Sequence, residues 1–423
     1  MWEGTVRWGK LALWVMAAAC VAAGCNAPCV WEYSYAGRAP EEGKPGDGDA
    51  ALAAVPDGGV VMCGYTDRPD LDIELVVDKL SADGALVWTK TYQARPGAYT
   101  YGHAVTAAGE GTIVAVGVEA WETTYLGRWF VRKMAADGSD IWAENLRGPE
   151  ATAGRPNAVS VDASGSLYVA GYMGRGAWHV AKFAPTGLPI WEVHDGSARS
   201  HCEARAVATG PYGEVVTVGW GSAETGRGTV WIVRKHDAGG TLAWSLTYGD
   251  PGKLNEARGV LMDAQGGMVV AGAAGGYPEG MIELSGTRLV IRRYDAIGSL
   301  SWEETYSSSR SDELGMVGMD RMPDGGFVLA AVEHRRGPWP CRRWLILRYD
   351  AEHHLVWRKV YSSNRGGWDV PYGICVDAAG RVVVCGLVMD AKPPGHGEMV
   401  IRAYRDSGWI SNLFHASLRA VGM

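Results

Sequence analysis

Phenylalanine is almost missing from this chain, with 4 copies in 423 residues, while Trp (19), Tyr (18) and Gly (59) are abundant. That balance suits many short strands packed through large aromatic side chains and joined by tight turns, an all-β composition. A basic surplus is missing too. The formal charge is -7 and no run of like charges stands out, which excludes a protein that neutralises phosphates along a basic stripe, so no nucleic-acid partner is expected. The apolar stretch from Leu11 to Ala23 is only 13 residues, too short to span a hydrocarbon core. Familiar catalytic signatures are absent as well: there is no HExxH, no GxSxG, no Walker loop and no GxGxxG opening a helix. The cysteines show neither CxxC nor a metal-like Cys/His spacing, and the 10 His are scattered. No cofactor and no metal is therefore expected. Asp/Gly pairs such as Asp57-Gly58 and Asp83-Gly84 are explained as turn chemistry.

The first segment reads as a targeting signal. Arg7 and Lys10 precede the short apolar stretch, which runs into Val21-Ala22-Ala23-Gly24-Cys25. This resembles the lipobox of bacterial lipoproteins, and the resemblance implies cleavage after Gly24 and lipidation of Cys25, although Ala22 stands where Leu is commonest. Asn26 is not Asp, which by the same resemblance implies an outer-membrane lipoprotein of the cell envelope. The alternative is an ordinary secretory signal cut after Ala19 or Ala23, giving a secreted protein. Either export route permits disulfides among Cys29, Cys63, Cys202, Cys341, Cys375 and Cys385. Cys63, Cys375 and Cys385 fall within strands and read as small apolar core residues.

From residue 50 onward the chain repeats, and residues 158–191 are the clearest copy: four short strands separated by turn residues. One turn column is Gly in every copy, at 58, 111, 165, 213, 266, 325 and 380, as a turn with positive φ requires. Seven residues earlier stand Ala51, Ala104, Ala158, Ala206, Gly259, Gly318 and Gly373, small residues suited to strands crowded around an axis. Six residues after the turn come Gly64, Gly117, Gly171, Gly219, Gly272 and Gly386, with Ala331 as the exception. Glycine inside a strand predicts close approach of another backbone. The third strand ends in Lys79, Lys133, Lys182, Lys235, Arg293 and Arg348, a column read as structural packing rather than an anion site. The fourth carries Trp88, Trp142, Trp191, Trp244, Trp302 and Trp357, spaced 54, 49, 53, 58 and 55 residues apart. Such a period belongs to arrays of four-stranded units.

Three-strand copies begin seven times, but the seventh lacks its Trp: the position holds Asn412. The missing element is at the other end of the chain, where Trp31 and Tyr35 repeat the W-x-x-x-Y spacing of Trp88 and Tyr92. The pattern predicts a seven-bladed β-propeller of four-stranded antiparallel blades, closed by a strand over 30–35 that completes the last blade. The domain plan is a signal over 1–24, a lead-in over 25–49, the propeller over 50–412 and a tail over 413–423. A competing plan puts residues 409–416 in the last blade's outer position with the N-terminal strand outside it. The pattern resembles the bacterial seven-bladed β-propeller repeat family and the tryptophan-docking repeats of pyrroloquinoline-quinone propellers.

Function must then lie where the copies differ. The connections after strands two and four share one face, and its loops carry Trp121, Tyr125, Tyr277, Trp339 and Trp368, residue types enriched at recognition surfaces. Just before the small-residue column stand His103, Asn157, Arg205, Arg258 and Tyr372, a candidate binding row at the channel mouth. Two guanidinium groups there suit a carboxylate or phosphate. Equally, Glu203 beside Arg205 and Glu256 beside Arg258 suit salt bridges between blades. The expectation is a non-enzymatic, lipid-anchored propeller that presents a binding face to a protein or glycan partner. The alternative is an enzyme of lyase, glycosidase or quinone-dependent type at the channel mouth.

Overall fold

The computed structural model describes residues 28–35, 50–67, 73–93, 97–121, 127–146, 154–174, 176–195, 201–224, 227–279, 283–308, 313–335, 341–363, 366–390 and 397–406. The lipidation candidate Cys25, the loop aromatics Tyr125 and Trp339, and residues 407–423 lie outside this set.

Strand follows strand, interrupted among the described residues by one short 3-10 turn at Gly109–Gly111. Hydrogen bonding groups the strands into six sheets. Five are single blades of four strands in chain order, the fifth with an extra strand Glu283–Ser285 paired to its long second strand Met268–Glu279. The sixth has eight strands and divides at one parallel pair, Arg342 with Trp368, into two sets of four. Counted so, the described strands make seven sets of four, arranged as the blades of a β-propeller.

The last set consists of Gly366–Val376, Val382–Asp390, Gly397–Tyr404 and the N-terminal strand Cys29–Tyr35. Trp31 lies opposite Ala403 and Glu32 opposite Arg402. Direct pairing with Gly397–Tyr404 places the N-terminal strand beside the third strand of this set; residues 409–416 of the competing plan lie outside the described residues. The apolar clusters lie between blades. One joins Leu52, Val60 and Met62 of blade one to Cys375, Val383, Cys385 and Ile401 of blade seven, with Trp31 and Tyr33 packed against it. The ring is thereby closed, and an edge strand is removed from solvent.

The repeat columns have distinct physical causes. The turn glycines all have positive φ, from +73° at Gly380 to +90° at Gly325, where a Cβ would be strained. In the turn after strand three, Gly84, Gly138, Gly187, Gly240 and Gly298 likewise have positive φ; blade six puts His353 there at +68°, stacked on Trp302 at 4.7 Å. These turns receive the Trp of the preceding blade. The indole N–H donates to a turn carbonyl in four blades: Trp88 to Ala136 at 3.1 Å, Trp142 to Pro185 at 3.1 Å, Trp191 to Ala238 at 3.0 Å, and Trp31 of blade seven to Ala82 of blade one at 3.1 Å. The basic column serves the same seams. Lys79, Lys133 and Lys182 donate to the carbonyls that Trp88, Trp142 and Trp191 use, whereas Arg293 pairs with Asp263 of its own blade at 2.7 Å. This is a packing role.

Among the cysteines, Cys63, Cys375 and Cys385 are buried. Burial pushes the Cys385 thiol up to about 12, so it stays protonated and fills space.

Candidate functional site

The candidate binding row has a common backbone origin that the sequence does not display. In six blades the register of the inner strand slips by one residue, between Gly102 and Ala104, Pro156 and Ala158, Ala204 and Ala206, Ala257 and Gly259, Met316 and Gly318, and Pro371 and Gly373. The residues that the register skips are His103, Asn157, Arg205, Arg258, Val317 and Tyr372. Each is therefore a bulge residue, and a bulge re-aims its side chain away from the regular pleat.

In five of the six bulged blades the bulge faces the glycine column, and blade six carries it opposite Ala331. A Cβ at Gly219 would stand 1.9 Å from the Glu203 carbonyl oxygen, one at Gly171 would stand 1.9 Å from Arg155 O, and one at Gly117 would stand 1.9 Å from Tyr101 O. Gly64, in the blade whose inner strand Ala51–Ala54 has no bulge, would meet nothing closer than 3.9 Å. The backbone approach expected from these glycines is present where the bulge is present.

The row's side chains divide into two groups. His103 stacks on Tyr101 with ring centroids 6.3 Å apart, and Tyr101 meets Tyr65 of blade one edge to face at 5.1 Å. Asn157 Nδ2 donates to Ala204 O of the next blade at 2.7 Å. Arg205 pairs with Glu203 at 3.1 Å and, through Nε, with Glu256 of the next blade at 2.7 Å. Asn157 and Arg205 thus join neighbouring inner strands, while His103 stacks within its own. Glu256 then pairs with Arg258 Nε at 3.0 Å. Burial acts to raise the Glu256 carboxyl, but the adjacent Arg258 and Arg205 guanidinium groups outweigh it and hold the group below the ordinary carboxylate range.

Arg258 and Tyr372 belong to the second group. Both line a cleft of about 330 Å³ between blades five, six and seven, together with Glu313, His334 and Arg342. Its walls are the beginnings of inner strands and the ends of second strands, the face that carries the variable connections. The Arg258 side chain is 39% exposed although its Nε is engaged. The Arg342 guanidinium lies 4.5 Å over the ring of Trp368, which is itself 43% exposed. Within the cleft, His334 Nδ1 lies 2.9 Å from Glu313 Oε2. Trp368 is thus the one predicted loop aromatic whose side chain is described, and it stands beside the cleft. Trp121 and Tyr277 end or continue described strands, but their side chains, like all of Tyr125 and Trp339, lie outside the described set.

Sequence reading missed Glu313, His334 and Arg342. They sit on three different segments of blade six and share no short spacing; only their place in a blade brings them to one cleft.

No family model matches this chain, and no curated protein does. Solved structures do. The chain is similar to a protein of unknown function from Dyadobacter fermentans, at 14% identity and a TM-score of 0.51, covering 90% of this chain and 100% of that one. It is also similar to an ulvan lyase, a polysaccharide lyase bound to a chain of GlcA(1-4)Rha3S, at 11% identity and a TM-score of 0.51, covering 87% and 95%. The β-propeller domain of the trilobed protease from Pyrococcus furiosus matches at 12% identity and a TM-score of 0.47, covering 84% and 96%. At these identities the likeness is one of fold.

Proposed function

We propose that this protein is a lipid-anchored envelope propeller that binds a carboxylate-bearing ligand, an acidic glycan or an acidic protein segment, in the cleft between blades five, six and seven. One observation carries the reading: the cleft of about 330 Å³ brings Arg258 and Arg342 together beside Tyr372 and Trp368. That volume suits a small ligand or one to two units of a polymer. Guanidinium groups supply charge-assisted hydrogen bonds to a carboxylate, and exposed rings supply a flat apolar platform of the kind found at recognition sites. The rigid ring carries this face on short strands, and its loops can vary without disturbing the blades. Attachment through Cys25 would present it at the outer membrane.

The soluble form starting at residue 26 tests the binding half on an array of acidic and neutral glycans and acidic peptides. Retention of carboxylate-bearing probes, lost in the Arg342→Ala variant at unchanged melting temperature, is expected. Equal retention by both forms would overturn it. For the anchor, labelled fatty acid should enter the wild-type chain and not Cys25→Ala; labelling of both refutes lipidation there.

A second reading rests on the His334–Glu313 contact at 2.9 Å. An imidazole oriented by a carboxylate is a general acid–base arrangement, here beside Tyr372 in the same cleft. This favours an enzyme of the lyase or glycosidase type as the alternative. Turnover of an acidic polysaccharide that disappears in His334→Ala would place it ahead of simple binding.

A further inference from the structure

Blade three departs from its siblings in the middle of its sheet. The third-strand residue opposite the glycine column is Val76, Phe130, Ile232, Val290, Leu345 and Val400 in six blades, and His179 in blade three. The outer-strand residue paired with it is Thr91, Asn145, Thr247, Thr305, Val360 or Ser34 elsewhere, and His194 here. Cross-strand partners share a face, and Glu192, two residues before His194, shares it too. The topology alone thus puts two imidazoles and a carboxylate together.

The side chains converge. His179 Nε2 lies 3.9 Å from Glu192 Oε2, and His194 Nε2 lies 3.5 Å from the same oxygen. One ligand atom from each residue fits within a set no wider than 4.8 Å. His179 is fully buried, with Trp129 edge-on at 4.8 Å, and its Nε2 has no hydrogen-bond partner. A buried polar atom left so is costly unless something meets it. Glu192 and His194 are 34% and 46% exposed, so the group opens to solvent on one side.

We propose that His179, Glu192 and His194 form a site for a divalent transition-metal ion of the zinc class, with a solvent-facing fourth position. Zinc takes nitrogen and carboxylate ligands at about 2.0–2.2 Å, so tetrahedral ligands stand about 3.3 Å apart. The two distances to Glu192 are slightly longer, and small rotations of the exposed carboxylate and imidazole close the difference. The two Nδ1 atoms now face each other at 2.8 Å. With both Nε2 lone pairs on the ion, each Nδ1 carries its proton, so that contact opens, and His194 is the ring exposed enough to turn. Two imidazoles and one carboxylate favour zinc, copper, nickel or cobalt over calcium or magnesium, which prefer all-oxygen sites.

The site lies in blade three, apart from the cleft of blades five to seven, and does not depend on ligand binding there. The test uses the untagged chain from residue 26, stripped of metal and titrated with Zn²⁺, Co²⁺ and Ca²⁺. One Zn²⁺ or Co²⁺ per chain should bind, with d–d absorption for bound Co²⁺ and a melting temperature that rises with Zn²⁺, while Ca²⁺ has no effect. His179→Leu installs a residue type that a sibling blade already carries, so it should fold and lose the absorption and the thermal shift. His194→Thr, the residue of three siblings, should weaken Zn²⁺ at least about tenfold. Absence of stoichiometric binding, or binding that survives His179→Leu and His194→Thr together, overturns the proposal.

Discussion

Closure of the ring by the N-terminal strand makes a quantitative prediction because the chain contains its own control. Trp31 and Trp88 make the same contact: each indole N–H donates at 3.1 Å to a turn carbonyl of the next blade. Each ring also covers a glycine turn; a Cβ at Gly84 would stand 2.5 Å from Trp31, and one at Gly138 would stand 3.2 Å from Trp88. Truncating a fully buried Trp to Ala costs about 3–5 kcal/mol. Both rings are partly exposed, so about 2–3 kcal/mol is expected, including about 1 kcal/mol for the hydrogen bond. Trp31→Ala and Trp88→Ala should then destabilise alike, although one residue is internal to the repeat and the other lies before it. Beginning the chain at residue 37 should cost more than either substitution. It removes the whole pairing from Trp31 to Tyr35 and uncovers Ile401 and Tyr404, now 1% and 0% exposed. It also leaves an open sheet edge, so self-association should rise. Urea and thermal unfolding, followed by circular dichroism, compare this form with one beginning at residue 26. Identical unfolding of the two, or a Trp31→Ala variant as stable as wild type while Trp88→Ala is weakened, would refute the closure argument.

Other predictions follow from single positions. Gly219→Ala places a methyl against the Glu203 carbonyl and should cost about 3 kcal/mol, whereas Gly64→Ala, with 3.9 Å of room, should change the unfolding midpoint little. Glu256→Gln leaves Arg205 without its inter-blade partner and should cost about 3 kcal/mol near neutral pH. The Glu256 carboxyl is held low in the folded state, so its stabilisation is complete above the unfolded value, about 4.3, and is lost as pH falls through the folded one. The gap between wild type and Glu256→Gln should therefore narrow below about pH 4, as paired urea titrations would record; a gap constant with pH contradicts the assignment.

The blade pattern was legible because its columns answer to backbone needs that few residues meet. Positive φ selects glycine, and docking on the next blade's turn selects tryptophan, so even the displaced Trp31 could be recognised by spacing. The inner-strand bulge was not legible: no residue type marks it, and His103, Asn157, Arg205, Arg258 and Tyr372 differ in chemistry though they share a backbone position. As a result the row looked like one site, whereas Asn157 and Arg205 join blades and Arg258 and Tyr372 face a cleft. Arg205 makes the inter-blade salt bridge to Glu256 that the sequence also allowed. The cleft partners Glu313, His334 and Arg342 come from separate strands of one blade, and only strand register assembles them. His179 could have been found. Aligning third strands places it in a column of Val, Phe, Ile and Leu, but counting histidines along the chain hides that exception.

If Arg258 and Arg342 hold a carboxylate while Arg205, two blades from Arg342, serves the fold, substitutions at the three positions should separate the two roles. Titration of a glucuronate oligosaccharide, or of the best acidic array probe, into wild type, Arg258→Ala, Arg342→Ala and Arg205→Ala measures this directly. Each hydrogen bond to a charged group contributes about 1.5–3 kcal/mol. Affinity should thus fall at least about tenfold for Arg258→Ala and Arg342→Ala, with a melting temperature near wild type for Arg342→Ala and a lower one for Arg258→Ala, which also leaves Glu256 with one guanidinium fewer, while Arg205→Ala should melt earlier and bind as before. Affinity unchanged in the first two variants, or lost only in Arg205→Ala, would contradict the account.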